Sequence, residues 1–234
     1  MKILLKLSGE TLMGDLEYGI RQDAVLHVAK QLKELHEQKH ELGVVIGGGN
    51  IFRGIQQGST LGIRRTPADQ MGMLATLING IALKETLVEL GCDVRIVSEL
   101  DCPTIATKYQ WDKVMRHLAK GRIVLFVGGT GHPYFTTDTA SALKASEIGA
   151  DIFLKATTRV DGIYDKDPRV HSDAKKYDTI SYSKLIEQKL GIIDLTAATL
   201  CMTSQIPIRV FNFYAGSLVE AISKKPIGTL VSGE

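Results

Sequence analysis

Short apolar runs of strand length alternate with longer amphipathic stretches along the whole chain, and this alternation limits its folds more than any other feature. Lys2–Leu7 reads as a strand, Asp23–Gln38 as a helix with Val25, Leu26, Ala29, Leu32 and Leu35 on one face, and Leu42–Ile46 as a second strand. A helix over Pro67–Leu90 stops at Gly91 before a strand at Asp93–Val97. Trp111–Lys120 stops at Gly121 before Ile123–Val127, and Asp138–Ile148 stops at Gly149 before Asp151–Leu154. Helices near Ser183–Lys189 and Thr196–Thr203, a strand at Ile208–Phe213, a short helix near Leu218–Ser223 and a strand near Thr229–Ser232 complete the pattern. Ile55–Arg65 is irregular and reads as a mobile loop. Strand, helix and strand joined by short connections form parallel βαβ units with helices on both faces of a sheet, so the class is α/β. No linker, low-complexity run or repeat divides the chain, which predicts one domain over residues 1–234.

Composition narrows the partners. With 28 Lys+Arg against 26 Asp+Glu the net charge is +2, and basic and acidic residues are interleaved. A nucleic-acid polymer or an anionic membrane calls for a basic stripe that this sequence lacks. A hydrophobic content of 44% supplies one sizeable core and excludes disorder, since a chain of this length buries roughly 70–75% of its extended surface. Cys92, Cys102 and Cys201 fall in no CxxC spacing, so neither a disulfide frame nor a zinc site is expected, and a reducing cytoplasm fits. Lys6 interrupts the opening apolar run, and no uninterrupted apolar stretch approaches the roughly 18 residues of a membrane span. Small ligands remain.

In an open parallel sheet ligands bind beyond the carboxyl ends of the strands, and there the 23 glycines cluster. Lys6-Leu7-Ser8-Gly9-Glu10 places a lysine at the end of an Ile/Leu strand, where it calls for an anion; Ser8 and the Gly9 backbone add donors suited to phosphate. A strand-edge lysine reaching water is the plainer reading. In Gly47-Gly48-Gly49-Asn50-Ile51-Phe52-Arg53 three successive glycines let backbone N–H groups approach an oxyanion, and Arg53 follows to fork onto phosphate oxygens. The spacing matches neither a dinucleotide fingerprint nor a P-loop. Gly128-Gly129-Thr130-Gly131-His132-Pro133-Tyr134-Phe135-Thr136-Thr137-Asp138 ends a third strand in glycines before a helix, with Thr137 or Asp138 able to cap it and aromatic residues able to border a planar base. Asp69 reads as a first-turn carboxylate favoured by its helix dipole, and Leu154–Pro168 as a charged hairpin.

Lys6–Glu10, Gly43–Gly54, Asp69–Ala75, Gly129–Asp138, Val160–Tyr164 and Ile206–Asn212, in that order, resemble the bacterial uridylate (UMP) kinases of the amino acid kinase family. The resemblance implies a three-layer α/β/α sandwich on a mostly parallel sheet of about eight strands, and the reaction ATP + UMP → ADP + UDP. It implies that Lys6, Leu7, Ser8, Gly9, Gly49 and Arg53 hold the ATP phosphates, with Thr157, Tyr164 and Asp167 on the adenosine side. It implies UMP contacts from Gly48, Asp69 and the loop of Thr130, Gly131, His132, Pro133, Tyr134, Phe135, Thr136 and Thr137. Lys6, Arg53, Asp138 and Asp194 would serve the reaction centre, with Mg²⁺ entering with ATP and its protein ligands left open. Bacterial members are typically hexamers regulated by GTP and inhibited by UTP, so the resemblance implies a cytoplasmic homohexamer with such effectors; Arg95, Trp111 and Arg122 stand at GTP positions, whereas Lys84 and Val88 replace an arginine and a histidine. His132 and Tyr134 stand where Asn and Phe are usual, and Lys155–Val160 is one residue longer, which leaves Thr157 and Thr158 interchangeable. Acyl-group kinases on the same scaffold and a non-catalytic nucleotide sensor are the alternatives.

Overall fold

The computed structural model describes the backbone of residues 1–233 and the side chains of these except residues 55 and 56. The chain runs β1 (Lys2–Leu7), a 3₁₀ turn (Gly9–Leu12), α1 (Gln22–Glu37), β2 (Glu41–Ile46), α2 (Gly54–Thr60), α3 (Arg65–Glu89), β3 (Val94–Ser98), β4 (Thr107–Lys108), α4 (Trp111–Ala119) and β5 (Ile123–Val127). It continues through α5 (Thr137–Ile148), β6 (Ile152–Thr157), β7 (Ile163–Tyr164), β8 (Lys176–Tyr177), β9 (Thr179–Ile180), α6 (Tyr182–Glu187), α7 (Leu195–Thr203), β10 (Ile208–Asn212), α8 (Leu218–Ala221) and β11 (Thr229–Val231).

Nine strands form one sheet in the order β4-β3-β5-β2-β1-β6-β10-β11-β9, parallel except where β11 runs against β10; β7 and β8 pair separately as a hairpin. The sheet fits the expectation of about eight strands; of its nine, β4 and β9 are not placed by residue from the sequence, because two residues each are too few to show a period. Strand β1 is central, with β2 on one side and β6 on the other, so Lys6 stands in register with both Val45 and Lys155.

Two apolar layers sandwich the sheet. Alternate residues of β1 divide between them: Ile3, Leu5 and Leu7 pack with Val25, Val28, Leu32 and Leu35 of α1, and Leu4 packs with Ala142, Ala145 and Ile148 of α5 on the opposite face. Strands buried on both sides lose the polar/apolar alternation of a surface strand, which is why Ile123–Val127 reads as an unbroken apolar run. Gly80 is what lets α3 lie close on the sheet, because a Cβ there would sit 2.7 Å from Val127 Cγ1.

Gly54–Thr60 is helical, contrary to the expected loop. Its Gly, Ser and Thr residues are weak helix formers, and the segment is held by packing: Gly58 lies where a Cβ would come within 2.6 Å of the Ala68 Cβ on α3. By length and composition, α3 contains an 18-residue window apolar enough to cross a membrane, which the search for uninterrupted apolar runs overlooks because Thr, Asn and Gly punctuate it. In the fold α3 packs against α1, α2, β3 and β5. Its outward face nonetheless carries Met71, Leu74, Ile78, Ile81 and Val88, each 38–50% exposed.

Candidate active site

Lys6 and Lys155 are register partners on neighbouring strands, and two ammonium groups side by side on one face of a sheet repel each other. Asp138, in the first turn of α5, lies between them, with Lys6 Nζ 3.2 Å from Oδ1 and Lys155 Nζ 2.5 Å from Oδ2. Burial alone would raise the Asp138 carboxyl, but the two lysines outweigh it and hold it down at about 2. Lys155 is 5% exposed. Burial and the neighbouring Lys6 lower its ammonium to about 8, with Asp138 opposing them. Asp138 Oδ1 makes no hydrogen bond of good geometry, so the Lys6 contact is an ion pair at close range.

The N-cap of α5 is Thr136, not Thr137 or Asp138; its hydroxyl oxygen accepts from the Asp138 N–H at 3.0 Å and from the Thr139 N–H at 3.3 Å. Asp194 caps α7 by accepting from the Ala197 N–H at 2.8 Å, and it also accepts from the hydroxyls of Thr136 and Thr139. It therefore pins the start of α7 to the start of α5 and acts on Lys155 only through space.

The loop after β2 is built for close backbone approach. Asn50 and Asn79 exchange side-chain amide hydrogen bonds at 3.0 and 2.7 Å, and Asn79 also donates to the Gly47 carbonyl at 2.7 Å. A Cβ on Gly9 would lie 2.2 Å from Asn50 Oδ1, and one on Gly48 would lie 2.6 Å from the Gly72 carbonyl oxygen. Arg53 donates from Nε to the Gly49 carbonyl at 3.0 Å, and its guanidinium meets the Glu10 carboxylate. Glu10 also accepts from the Thr158 hydroxyl at 2.7 Å and from Arg159 Nη2 at 3.1 Å.

On one side of Lys6 a cleft of about 150 Å³ is lined by Gly48, Asp69, Thr130, His132, Phe135 and Thr137, among others. Gly128, Gly129 and Gly131 all have positive φ there, and Tyr134, at φ 71, does so without being glycine. Asp69 lies in the second turn of α3 rather than the first, so the dipole explains little of its placement. Its Oδ2 accepts from Arg65 Nε at 2.6 Å and from the Tyr134 N–H at 2.8 Å, and the Arg65 guanidinium lies over the Tyr134 ring. His132 Nδ1 lies 3.0 Å from the Thr130 carbonyl oxygen, which makes that nitrogen the protonated one.

On the other side a cleft of about 370 Å³ is lined by residues including Val160, Tyr164, Asp167, Lys189 and Gly191. Tyr164 donates to Asp161 at 2.6 Å. Asp167 pairs with Arg169, whose hydrogen bonds hold the carboxyl down at about 2. A third cleft, lined by Lys6, Asp138, Asp194, Thr136, Thr137 and Gly191, shares Thr136 and Thr137 with the first and Gly191 with the second, and so lies between them. Of the interchangeable threonines, Thr157 donates to the Val160 carbonyl of its own loop and Thr158 to Glu10.

The sequence reading missed Lys155, Glu10 and Arg159. A signal for Lys155 existed, since a lysine inside the apolar run Ile152-Phe153-Leu154 needs a partner. Among the described residues, no three His, Cys, Asp or Glu side chains come together as a metal site. With Asp138 and Asp194 committed to lysines, hydroxyls and an N–H, the described residues offer no ready-made Mg²⁺ site, and an ion here would depend on a nucleotide's own oxygens. Arg95 and Arg122 share Asp93, whereas Trp111 lies at the opposite end of α4, about 14 Å along a nine-residue helix.

A trough with a lysine–carboxylate–lysine centre and glycine loops on its rim suits two anionic ligands meeting end to end. The family model described as "Amino acid kinase family" matches residues 1–212. The uridylate kinase of Protochlamydia amoebophila (strain UWE25) is 52% identical over 233 residues, which cover 98% of this chain and 92% of that protein. The crystal structure of UMP kinase from Bacillus anthracis superposes with a TM-score of 0.95 at 33% identity, covering 99% of this chain and 95% of that one. That of UMP kinase from Ureaplasma parvum gives 0.94 at 34% identity, with 99% and 98% covered. Fold, site and sequence agree along nearly the whole length, and the chain belongs to the amino acid kinase family.

Proposed function

We propose that this protein transfers the γ-phosphoryl group of ATP to UMP, giving ADP and UDP. The observation that carries the reading is the cleft of Lys6 and Asp138, which lies between the other two and shares lining residues with each. The donor lies in the cleft of Tyr164 and Asp167, with its phosphates toward Ser8, Gly9, Gly49 and Arg53. UMP lies in the cleft of Asp69 and Thr130–Thr137, with Gly48 beneath its phosphate. The 52% identity to a protein named uridylate kinase supports the choice of acceptor.

Phosphoryl transfer between two anions is opposed by charge repulsion and disorder, so positioned cations and backbone donors supply most of the catalysis. Lys6 neutralises the transferring group, Arg53 steadies the donor phosphates, and Asp138 fixes both lysines without accepting a proton. The UMP phosphate oxygen is ionised at neutral pH and attacks without a general base. Among the described residues no carboxylate cluster would hold Mg²⁺, so an ion entering with ATP would rely on the nucleotide's oxygens, and no protein-bound intermediate forms. The exposed apolar face of α3 supports a homo-oligomer in which this helix meets a second copy.

ADP release measured with UMP, CMP and acetylglutamate in parallel should show turnover with UMP. Turnover with acetylglutamate and none with UMP would overturn the assignment. Lys6→Ala should lower kcat by on the order of 10²–10³ with an unchanged circular-dichroism melt, because the lysine acts on developing charge.

The pH profile of kcat/KM for ATP reports groups of the free enzyme. Lys155 is charged below its lowered value of about 8 and neutral above it, while Asp138 stays ionised throughout. The profile should therefore fall as pH rises through about 8, and Lys155→Arg should remove that limb. A wild-type profile flat through pH 9, or an identical limb in the variant, would contradict this. Light scattering should give the wild type a mass well above the 25.6 kDa of one chain, and Leu74→Glu with Ile78→Glu should lower it. A wild-type monomer would rule out the α3 interface.

A further inference from the structure

Glu10 carries more cations than one carboxylate needs. Its side chain, in the 3₁₀ turn after β1 and four residues past Lys6, is 16% exposed, and one oxygen, Oε1, meets both the Arg53 and the Arg159 guanidiniums while Oε2 takes the Thr158 hydroxyl. Burial would raise this carboxyl, yet the Thr158 hydrogen bond and the two arginines lower it. The cluster keeps an excess positive charge and adjoins the triple-glycine loop, because Arg53 is tethered to the Gly49 carbonyl at 3.0 Å. It has the donor set of an anion site, filled by the chain's own carboxylate.

Arg159 is 56% exposed, so releasing its guanidinium from Glu10 costs little desolvation, and an exposed ion pair of this kind is worth about 1 kcal/mol or less. A triphosphate offers several ionised oxygens to the same fork, against one oxygen from Glu10. Arg159 also lies in the Lys155–Val160 stretch that runs one residue longer than the family pattern, so the resemblance assigns it no role. We propose that Arg159 is a second phosphate-binding arginine beside Arg53, and that Glu10 is its resting partner, exchanged for the polyphosphate of a nucleoside triphosphate. This deepens the proposed function by placing selection for polyphosphate over monophosphate at this cluster, and it rests on the assignment of the Arg53 side to the donor.

Titration calorimetry of the full chain with the non-hydrolysable analogue AMP-PNP, and separately with AMP, tests this without UMP or turnover. Arg159→Ala should weaken AMP-PNP binding by on the order of tenfold, the worth of one charge-assisted contact, and leave AMP binding within about twofold. Arg159→Lys should recover part of the loss, and Glu10→Gln should tighten AMP-PNP about threefold by freeing both guanidiniums. Unchanged AMP-PNP affinity in Arg159→Ala, an equal loss for AMP, or weaker AMP-PNP binding in Glu10→Gln would overturn the proposal. Should Glu10→Gln fail to fold, the exposed Arg159 variants still decide it. If the wild type binds no AMP-PNP, the donor assignment itself fails; if the wild type binds it and Arg159→Ala binds equally well, only this inference is lost.

Discussion

Two lysines at the carboxyl ends of adjacent central strands stay in register because one aspartate lies between them. Without Asp138 the Lys6 and Lys155 ammoniums would face each other across one sheet spacing in a poorly solvated place. The aspartate comes from the first turn of α5, and that turn is fixed by Thr136 and, through it, by Asp194 on α7. One carboxylate thus ties the sheet to two helices and leaves a net positive centre in the cleft between the other two. A phosphoryl group in flight needs such a centre, and a core needing only stability would have no use for it.

The glycine loops solve the complementary problem of access. Gly9 lies so close to Asn50 and the Gly47 carbonyl, and Gly48 so close to α3, that a Cβ on either would collide with a side chain or backbone. The Asn50–Asn79 pair holds the loop in that shape by satisfying buried amides reciprocally. The backbone N–H groups are therefore presented by a tightly packed frame, and the site's long cations are held by carboxylates. Arg53 and Arg159 rest on Glu10, and Arg65 rests on Asp69.

Much of this was legible in the sequence because the physics behind it is local. Strand Lys2–Leu7 and strand Ile123–Val127 appear where their apolar runs lie, and helices stop at Gly91, Gly121 and Gly149 because those positions adopt positive φ. What escaped depends on contacts distant in sequence. Gly54–Thr60 is helical through packing on α3 and not through propensity, and β4 and β9 exist only as edges of a sheet already formed. The role of Lys155 follows from strand register, which single-strand patterning cannot give, and Glu10 becomes visible only when the loop after β6 folds back 149 residues to bring Arg159 onto it. Asp194 lines the same cleft as Lys6 and Asp138, and its side chain caps α7 and accepts from two threonine hydroxyls, a pairing that no local pattern encodes.

The most direct test of the lysine–aspartate–lysine centre is a crystal structure of the protein with AMP-PNP and UMP bound together. The account predicts that the two phosphate ends meet beside Lys6, with its Nζ within hydrogen-bond distance of the phosphate oxygens and Asp138 still between Lys6 and Lys155. A complex in which the phosphates meet elsewhere, or in which Lys6 touches neither nucleotide, would contradict it.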